Sequence, residues 1–337
     1  MGKFVIRRIL WMFLVLFVVS VVTFLLMHAV PGGPFTAEKR LPAATLKQLE
    51  AKYNLDAPLH IQYVTYIRDI MVPVVTDGKK NAALDHKYLI NIQLKDEKNT
   101  VIRWMDFGPS FRNVNRTVSD IFRDNLPVSM RLGGAALLVT MFIGLPLGIV
   151  SGLKRNSLVD YTAMAIAVLG VSVPVIILGP LLQYALGVQA KILPVSGWGD
   201  FKHLILPAFA LGIADSALVA RLTRASLLEV LSKDYIRTAR AKGLAERLVV
   251  FRHALRNSLI PIITVTGPMI AYILTGTFVV ETIFGIPGMG RFFVTSISGR
   301  DYPVIMGAVL LFAIFLVLAN TLVDIVYIWL DPRISYE

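Results

Sequence analysis

The sequence predicts an all-α integral membrane protein of six transmembrane helices that carries a small external α/β insertion. Three observations predict it: an apolar composition, six apolar runs long enough to cross a bilayer, and a lopsided distribution of basic residues. Of 337 residues, 55% are hydrophobic and 17% charged, whereas soluble domains hold about 45–50% apolar and about 25% charged residues. This composition excludes a soluble globular enzyme, and it excludes a disordered chain, which would be poor in apolar residues. There is no cysteine, so a disulfide scaffold, a thiolate zinc or iron–sulfur site and a cysteine nucleophile are excluded as well. The net charge of +12 would suggest nucleic acid in a soluble protein. Here it becomes a question of membrane sidedness, with the lipid bilayer as partner and no nucleic acid.

A bilayer core of roughly 30 Å takes about 20 apolar residues as helix. Stretches 9–30, 129–152, 162–187, 204–220, 259–283 and 304–330 meet that length or come close, with Pro174, Pro180 and Pro207 complicating the ends of the third and fourth. The first stretch follows Lys3, Arg7 and Arg8 as a signal peptide would, but its 22 residues exceed the roughly 7–15 of a signal core. Pro31-Gly32-Gly33-Pro34 follows it in place of a small-x-small cleavage site, so it reads as a retained helix.

Basic residues in short loops set orientation. Lys3, Arg7 and Arg8, Lys154 and Arg155, nine in the segment 221–258, and Arg333 make fifteen on one side. Lys191, Lys202, Arg291 and Arg300 make four on the other. Both termini and the segment 221–258 are therefore expected in the cytoplasm. The predicted organisation is a cytoplasmic N-terminus and first span (1–30), an external segment (31–128), a five-helix core (129–330) and a cytoplasmic tail (331–337).

The external segment is soluble in composition. Residues 44–53 (ATLKQLEAKY) and 59–71 read as short amphipathic helices. Residues 72–103 change character: Asp77-Gly78 is a hairpin turn signal, 88–94 alternates apolar and polar with period 2, and 96–99 is a second turn before Thr100-Val-Ile-Arg-Trp. A small β element is expected there, either a solubilising insertion or a docking surface for an extracytoplasmic partner.

No catalytic constellation is present. The sequence has no G-x-x-x-x-G-K-[ST], H-E-x-x-H or G-x-S-x-G, and its five histidines never fall at i,i+3 or i,i+4, as helix-borne metal ligands would. Work against a gradient would need a partner or an ion. Intramembrane ionisable residues are functional candidates by default: Asp215 near a span centre, and Glu281 and Asp324 near span ends, where snorkelling is cheap. Gly144, Gly148 and Gly152 recur at the spacing of close helix packing, beside Pro146. The fifth span carries a polar stripe, Thr264, Thr266, Tyr272, Thr275 and Thr277. A hydroxyl-bearing helix without charge suits a pathway for a neutral or zwitterionic solute, and packing explains it equally well.

The segment 231–261, LSKDYIRTARAKGLAERLVVFRHALRNSLIP, is basic and helix-prone, with Leu244, Leu248 and Phe251 on one side. A lipid-binding anchor is the simpler reading. The order is more specific, however: a first helix holding Ala239 and Ala241 ends at Gly243, a good C-cap, and a second leads into the membrane at Pro261. Two short exposed helices make a knob that fits a partner's groove.

This stretch resembles the EAA loop of ABC-importer permeases. Gly243 matches that loop's glycine and Ala239 its second alanine. Arg237 and Thr238 stand where Glu and Ala are usual, His253 and Leu255 at its I-x-L, and Arg256 in place of its proline. The oligopeptide, dipeptide and nickel permeases, the OppB/DppB-like sub-family, share this departure and typically carry runs like Tyr235–Leu244 and His253–Asn257. The resemblance extends to F-V-I-R-R-I-L at 4–10, 24–34, Y-N-L-D-A-P-L at 53–59, Leu145-Pro-Leu-Gly, Leu193-Pro-Val-Ser-Gly, Val280-Glu-Thr-Ile-Phe, Pro287-Gly-Met-Gly, Arg300-Asp-Tyr-Pro and Asp331-Pro-Arg, in the family's order; residues 72–103 look inserted.

The resemblance implies the type I importer fold, five core helices preceded by a peripheral one. It implies a second similar permease subunit, two ATPase subunits that bind ATP and Mg, and a solute-binding protein outside, in the inner membrane of a bacterium or archaeon. Coupling to the ATPase would fall to Tyr235, Arg237, Thr238, Ala239, Arg240, Ala241, Lys242, Gly243, Leu244, Glu246, Arg247 and His253. The pathway would be lined by Thr264, Thr266, Tyr272, Thr275, Thr277, Asp215 and, at the external mouth, Glu281. The expected cargo is a peptide, with nickel chelates or sugars as alternatives on the same scaffold. An ion-coupled secondary transporter would need midplane charges or an internal repeat, and a membrane enzyme a nucleophile–base set; neither is evident.

Overall fold

The computed structural model describes residues 2–35, 42–77, 84–94, 100–113, 115–275 and 277–330. In chain order the elements are α1 (Gly2–Ala29), α2 (Ala43–Lys52), α3 (Leu59–Met71), β1 (Val74–Asp77), β2 (Tyr88–Gln93), β3 (Thr100–Asp106), α4 (Val118–Leu153), α5 (Leu158–Ser172), α6 (Val175–Leu182) and α7 (Phe201–Leu231). Then follow α8 (Asp234–Ala241), α9 (Glu246–Leu248), α10 (Leu255–Ser258), α11 (Ile260–Leu274), α12 (Phe278–Ile283), α13 (Met289–Gly299) and α14 (Tyr302–Leu330). Wider π-helical turns continue α6 over Gln183–Gln189 and join α9 to α10 over Val249–Ala254.

Among the described residues, five helical stretches are long and apolar enough to cross a membrane: α1 from Leu10, α4, α7, Ile260–Ile283 and α14. A sixth exists only if α5 and the α6 stretch count as one, and these are bent 98° apart. The continuous third span expected at 162–187 is therefore corrected to a broken one. Its cause is local: proline clashes with a helical residue before it, Val173 is accordingly extended (φ −97°, ψ 112°), and Pro174 opens the next helix. The fourth span is also longer than its apolar core, because 221–231 holds no Gly or Pro to stop α7.

Contacts divide the chain into two units, Met1–Leu10 with Val128–Pro287 and Ile314–Glu337, and Trp11–Pro127 with Gly288–Ala313. In the first, α5, α6, α11 and α12 all pack on α7. Its core holds Leu132, Leu206, Ile273, Phe284 and Ile286. The α4–α7 contact is backbone to backbone: a Cβ on Gly148 would lie 2.5 Å from the Ala220 carbonyl, and one on Gly212 2.4 Å from that of Ala136. Where α4 turns into α5, Asp160 is 1% exposed. Its carboxylate accepts from Arg224 Nε (2.8 Å) and Nη2 (2.7 Å), from the Asn156 amide (2.9 Å) and from the Ser151 hydroxyl. Asp324 is not snorkelling alone but pairs with Arg8.

In the second unit the three strands form an antiparallel sheet in the order β1-β3-β2, with Val74 opposite Arg103 and Ile90 opposite Trp104. β1 thus pairs with β3, and among the described residues no hairpin joins β1 to β2; Gly78 and 96–99 lie outside the described residues. The strand α-carbons alternate faces, which buries Tyr88, Val101 and Arg103. The Arg103 guanidinium binds Asp85 at 2.7 Å. Thr117 and Asp120 form a reciprocal cap on α4, each donating a backbone amide to the other's side chain (3.0 and 3.1 Å), a known way to satisfy orphan helix donors. Phe107, Val118, Ile121 and Phe122 are fully buried behind it.

Candidate functional site

The segment after α7 forms the knob. Helix α8 is amphipathic: Ile236 and Ala239 are buried, with Leu227 and Val230 of α7 and Val249, Val250, Ala254 and Leu255 beyond the turn. Ala239 therefore holds the knob together and presents no surface. Gly243 sits in the left-handed region (φ +74°). Its amide donates to Arg240 O (2.9 Å) and the Leu244 amide to Ala239 O (3.4 Å). This pair of bonds is the Schellman C-cap, which asks for a residue without a Cβ.

Beyond the cap the chain reverses and α9 starts. Arg240 spans the turn to Glu246 (2.6 and 3.1 Å), and this guanidinium holds the Glu246 carboxyl below the usual carboxylate range. The Asn257 side-chain amide donates to the Tyr235 hydroxyl (2.8 Å), tying the base of α8 to α10. Arg237 makes an exposed pair with Asp234 at 3.5 Å, and the Thr238 hydroxyl donates to Asp234 O.

Three consequences follow for surface chemistry. Arg237, Thr238, Arg240, Ala241, Lys242, Leu244, Glu246 and Arg247 are exposed, and His253 is half-buried. Leu244, Leu248 and Phe251 are exposed by 38%, 50% and 63%. An apolar edge with a basic surround is thus held on a rigid turn, as a docking element requires; burial of such side chains gives about 1.5–3 kcal/mol each when complete.

The second site lies on α7 and α11. The Tyr272 hydroxyl donates to the Asp215 carboxylate, and the Thr264 and Tyr327 hydroxyls meet. Thr264, Pro268 and Tyr272 recur at helical spacing on the exposed side of α11. Thr264, Thr266 and Thr275 also donate to carbonyls one turn back (2.9, 2.8 and 2.9 Å), the ordinary resource of a hydroxyl in a membrane helix. Thr277 occupies the N-cap position of α12 in an extended conformation, without a side-chain cap bond. Glu281 departs from expectation: it is fully buried, and Ser129 donates to it at 2.8 Å. It neither snorkels nor faces an opening. Asp215 and Tyr272 come together, and Glu281 belongs to the packing of α12 on α4. Sequence reasoning did not find Ser129, Asp160 or Arg224 as polar anchors; the N-cap pattern Ser157-x-x-Asp160 was the available signal for one of them.

Comparison with known proteins gives the setting. Residues 144–336 match the family described as binding-protein-dependent transport system inner membrane component, and residues 1–133 match its N-terminal counterpart. The chain is 42% identical over 335 residues to the dipeptide transport system permease protein DppB of Bacillus subtilis, covering 99% of this chain and 98% of that one. It is 38% identical to the oligopeptide transport system permease protein OppB of Salmonella typhimurium over the full length of both. Among solved structures, an inward-facing form of the MetNI methionine ABC transporter superposes with a TM-score of 0.53 at 18% identity, over 63% of this chain and 96% of that chain. The resemblance carried by the knob and the scattered Pro/Gly motifs is borne out, and so is the permease fold.

Proposed function

This chain belongs to the binding-protein-dependent transport system inner membrane components, and from that premise we propose that it is a permease subunit of an ATP-driven peptide importer. One observation carries the proposal: relatives named as dipeptide and oligopeptide permeases align with it from end to end at 42% and 38% identity. The chain is a multi-pass membrane protein of a complex with other subunits. Our reading of that complex is a second permease subunit, two ATP-binding subunits that hold ATP and Mg, and an extracytoplasmic solute-binding protein. Both termini and the knob face the cytoplasm in this reading, as the basic loops favour.

The knob couples the two machines. Closure of the ATPase pair presses on the exposed edge of Leu244, Leu248 and Phe251. Because Ile236 and Ala239 lock the knob to Leu227 and Val230 of α7, the push is transmitted to a 31-residue helix and not absorbed in a loop. Packed helices move as bodies between discrete arrangements, so α7 and its neighbours tilt and open the pathway outward. Hydrolysis restores the inward state.

The test is purification of the tagged chain from mild detergent, mass spectrometry of what accompanies it, and an ATPase assay. Recovery of a second multi-span protein and nucleotide-hydrolysing subunits, with peptide uptake by the reconstituted complex, is the expected result. A chain that purifies alone and transports on an ion gradient refutes the reading.

A further inference from the structure

Asp215 poses a problem that the fold does not solve. It lies on α7 three residues past the centre of the apolar stretch 204–220, about 4.5 Å along the axis at 1.5 Å per residue. An acidic side chain there is expensive in lipid. Among the described residues no cation pairs with it; its side-chain partner is the Tyr272 hydroxyl. It is half-buried, and Tyr272 is 38% exposed. The other mid-chain acids have partners of their own: Asp160 has Arg224, Asp324 has Arg8, and Glu281 lies sealed against Ser129. Of the described acids in the apolar spans, Asp215 combines an acidic group, an open side and a neutral neighbour.

A phenol donates one hydrogen bond and leaves most of a carboxylate's acceptor sites unfilled. The exposed side of α11 beside it carries Thr264, Pro268 and Tyr272, two of them hydroxyl-bearing. We propose that Asp215, oriented by Tyr272, is the counter-ion for a primary ammonium group of the solute in transit, the α-amino terminus of a peptide. This deepens the peptide reading and rests on it. The chemistry favours that group: peptides differ in every side chain but share the terminal ammonium, so one carboxylate in the pathway holds them all without reading their sequence. A group held by one neutral donor also binds loosely enough to release, as a transit site must.

The experiment uses the complex purified with its partner subunits but without its solute-binding protein. Equilibrium binding of radiolabelled trialanine and of N-acetyl-trialanine is measured for wild type, Asp215→Asn and Asp215→Glu, beside trialanine uptake by wild-type vesicles. A charge-assisted hydrogen bond of ordinary strength corresponds to about a tenfold effect or more. Wild type is expected to prefer trialanine over its acetylated form by about tenfold, D215N to lose that preference, and D215E to keep most of it. Equal affinity of wild type for the two peptides, or an undiminished preference in D215N, overturns the proposal while peptide uptake stands. Failure of D215N to hold its partner subunits, when D215E holds them, means that the carboxylate pairs with another subunit, which also overturns it. Wild-type vesicles that take up no trialanine overturn the peptide reading itself and this proposal with it.

Discussion

Asp160→Asn removes one charge and almost no volume, and the geometry says what it costs. Four donors converge on the Asp160 carboxylate. Arg224 Nε and Ser151 reach one oxygen; Arg224 Nη2 and the Asn156 amide reach the other. An asparagine has a single oxygen, and with its NH2 turned toward Ser151 the hydroxyl can rotate to accept, while Arg224 Nε is left facing a donor. One hydrogen bond to a charged acceptor is lost outright, worth about 1.5–3 kcal/mol, and the remaining ones lose their charged acceptor. Arg224 keeps 29% side-chain exposure and can recover some hydration, so the cost is about 3 kcal/mol in all. That agrees with the roughly 3–5 kcal/mol for breaking a buried pair by removing one partner. At roughly 2–4 °C per kcal/mol for a folding unit of this size, the melting temperature of the detergent-purified chain should fall by about 6–12 °C. Tryptophan fluorescence on heating reads it. In a cycle with Arg224→Leu, the double variant should be less destabilised than the sum of the singles by about 1.5 kcal/mol or more. A fall under about 2 °C, or strict additivity, would refute the claim that this cluster fastens α4, α5 and α7.

The other predictions concern close packing, the cap and the pair on the knob. Gly148→Ala puts a Cβ 2.5 Å from the Ala220 carbonyl and forces α4 from α7, whereas Gly134→Ala meets nothing within 4 Å. The first should cost about 1–3 kcal/mol and the second essentially nothing, as melting of the two proteins will tell. Gly243→Val has open space around it but a φ of +74°, which costs a β-branched residue about 1–2 kcal/mol. Membrane insertion and yield should be normal and transport lost, with Gly243→Asn largely active; normal uptake by the valine variant would remove the knob's coupling role. Glu246 is held below the usual carboxylate range by Arg240, so the pair steadies the turn above that range and is lost as pH falls through the lowered value. The protection factors of the amides at 244–248, each taken against the intrinsic rate at the same pH, should therefore fall on strong acidification in wild type, and Arg240→Ala should show the lower protection already at neutral pH.

Much of the architecture was legible because it depends on short-range regularities. Helix α3 occupies the expected 59–71, since Pro58 starts it and Val72-Pro73 stops it. The Gly243 cap was legible because an αL position selects its residue type. The 98° break at Val173-Pro174 was half legible: the proline marks the place, but an apolar run looks the same straight or folded.

Partnerships across long separations were not legible. Arg224 counted toward the cytoplasmic charge bias, and nothing within ten residues says that it spans 64 positions to Asp160. The same limit explains the contrast between Glu281 and Asp215. Both are acids in apolar runs, and distance from the span end suggested that Glu281 could reach water. Only the fold shows that α12 lays it against Ser129 with no exposure, and that α11 brings a phenol and not a cation to Asp215. A sealed acid with a hydroxyl partner behaves as an internal strut between α4 and α12. An acid left partly open keeps acceptor sites that the fold does not fill and that a visiting cation can use. Of the seven residues assigned to the pathway from the sequence, Asp215 is the acid that keeps both an open side and unfilled acceptor sites among the described residues.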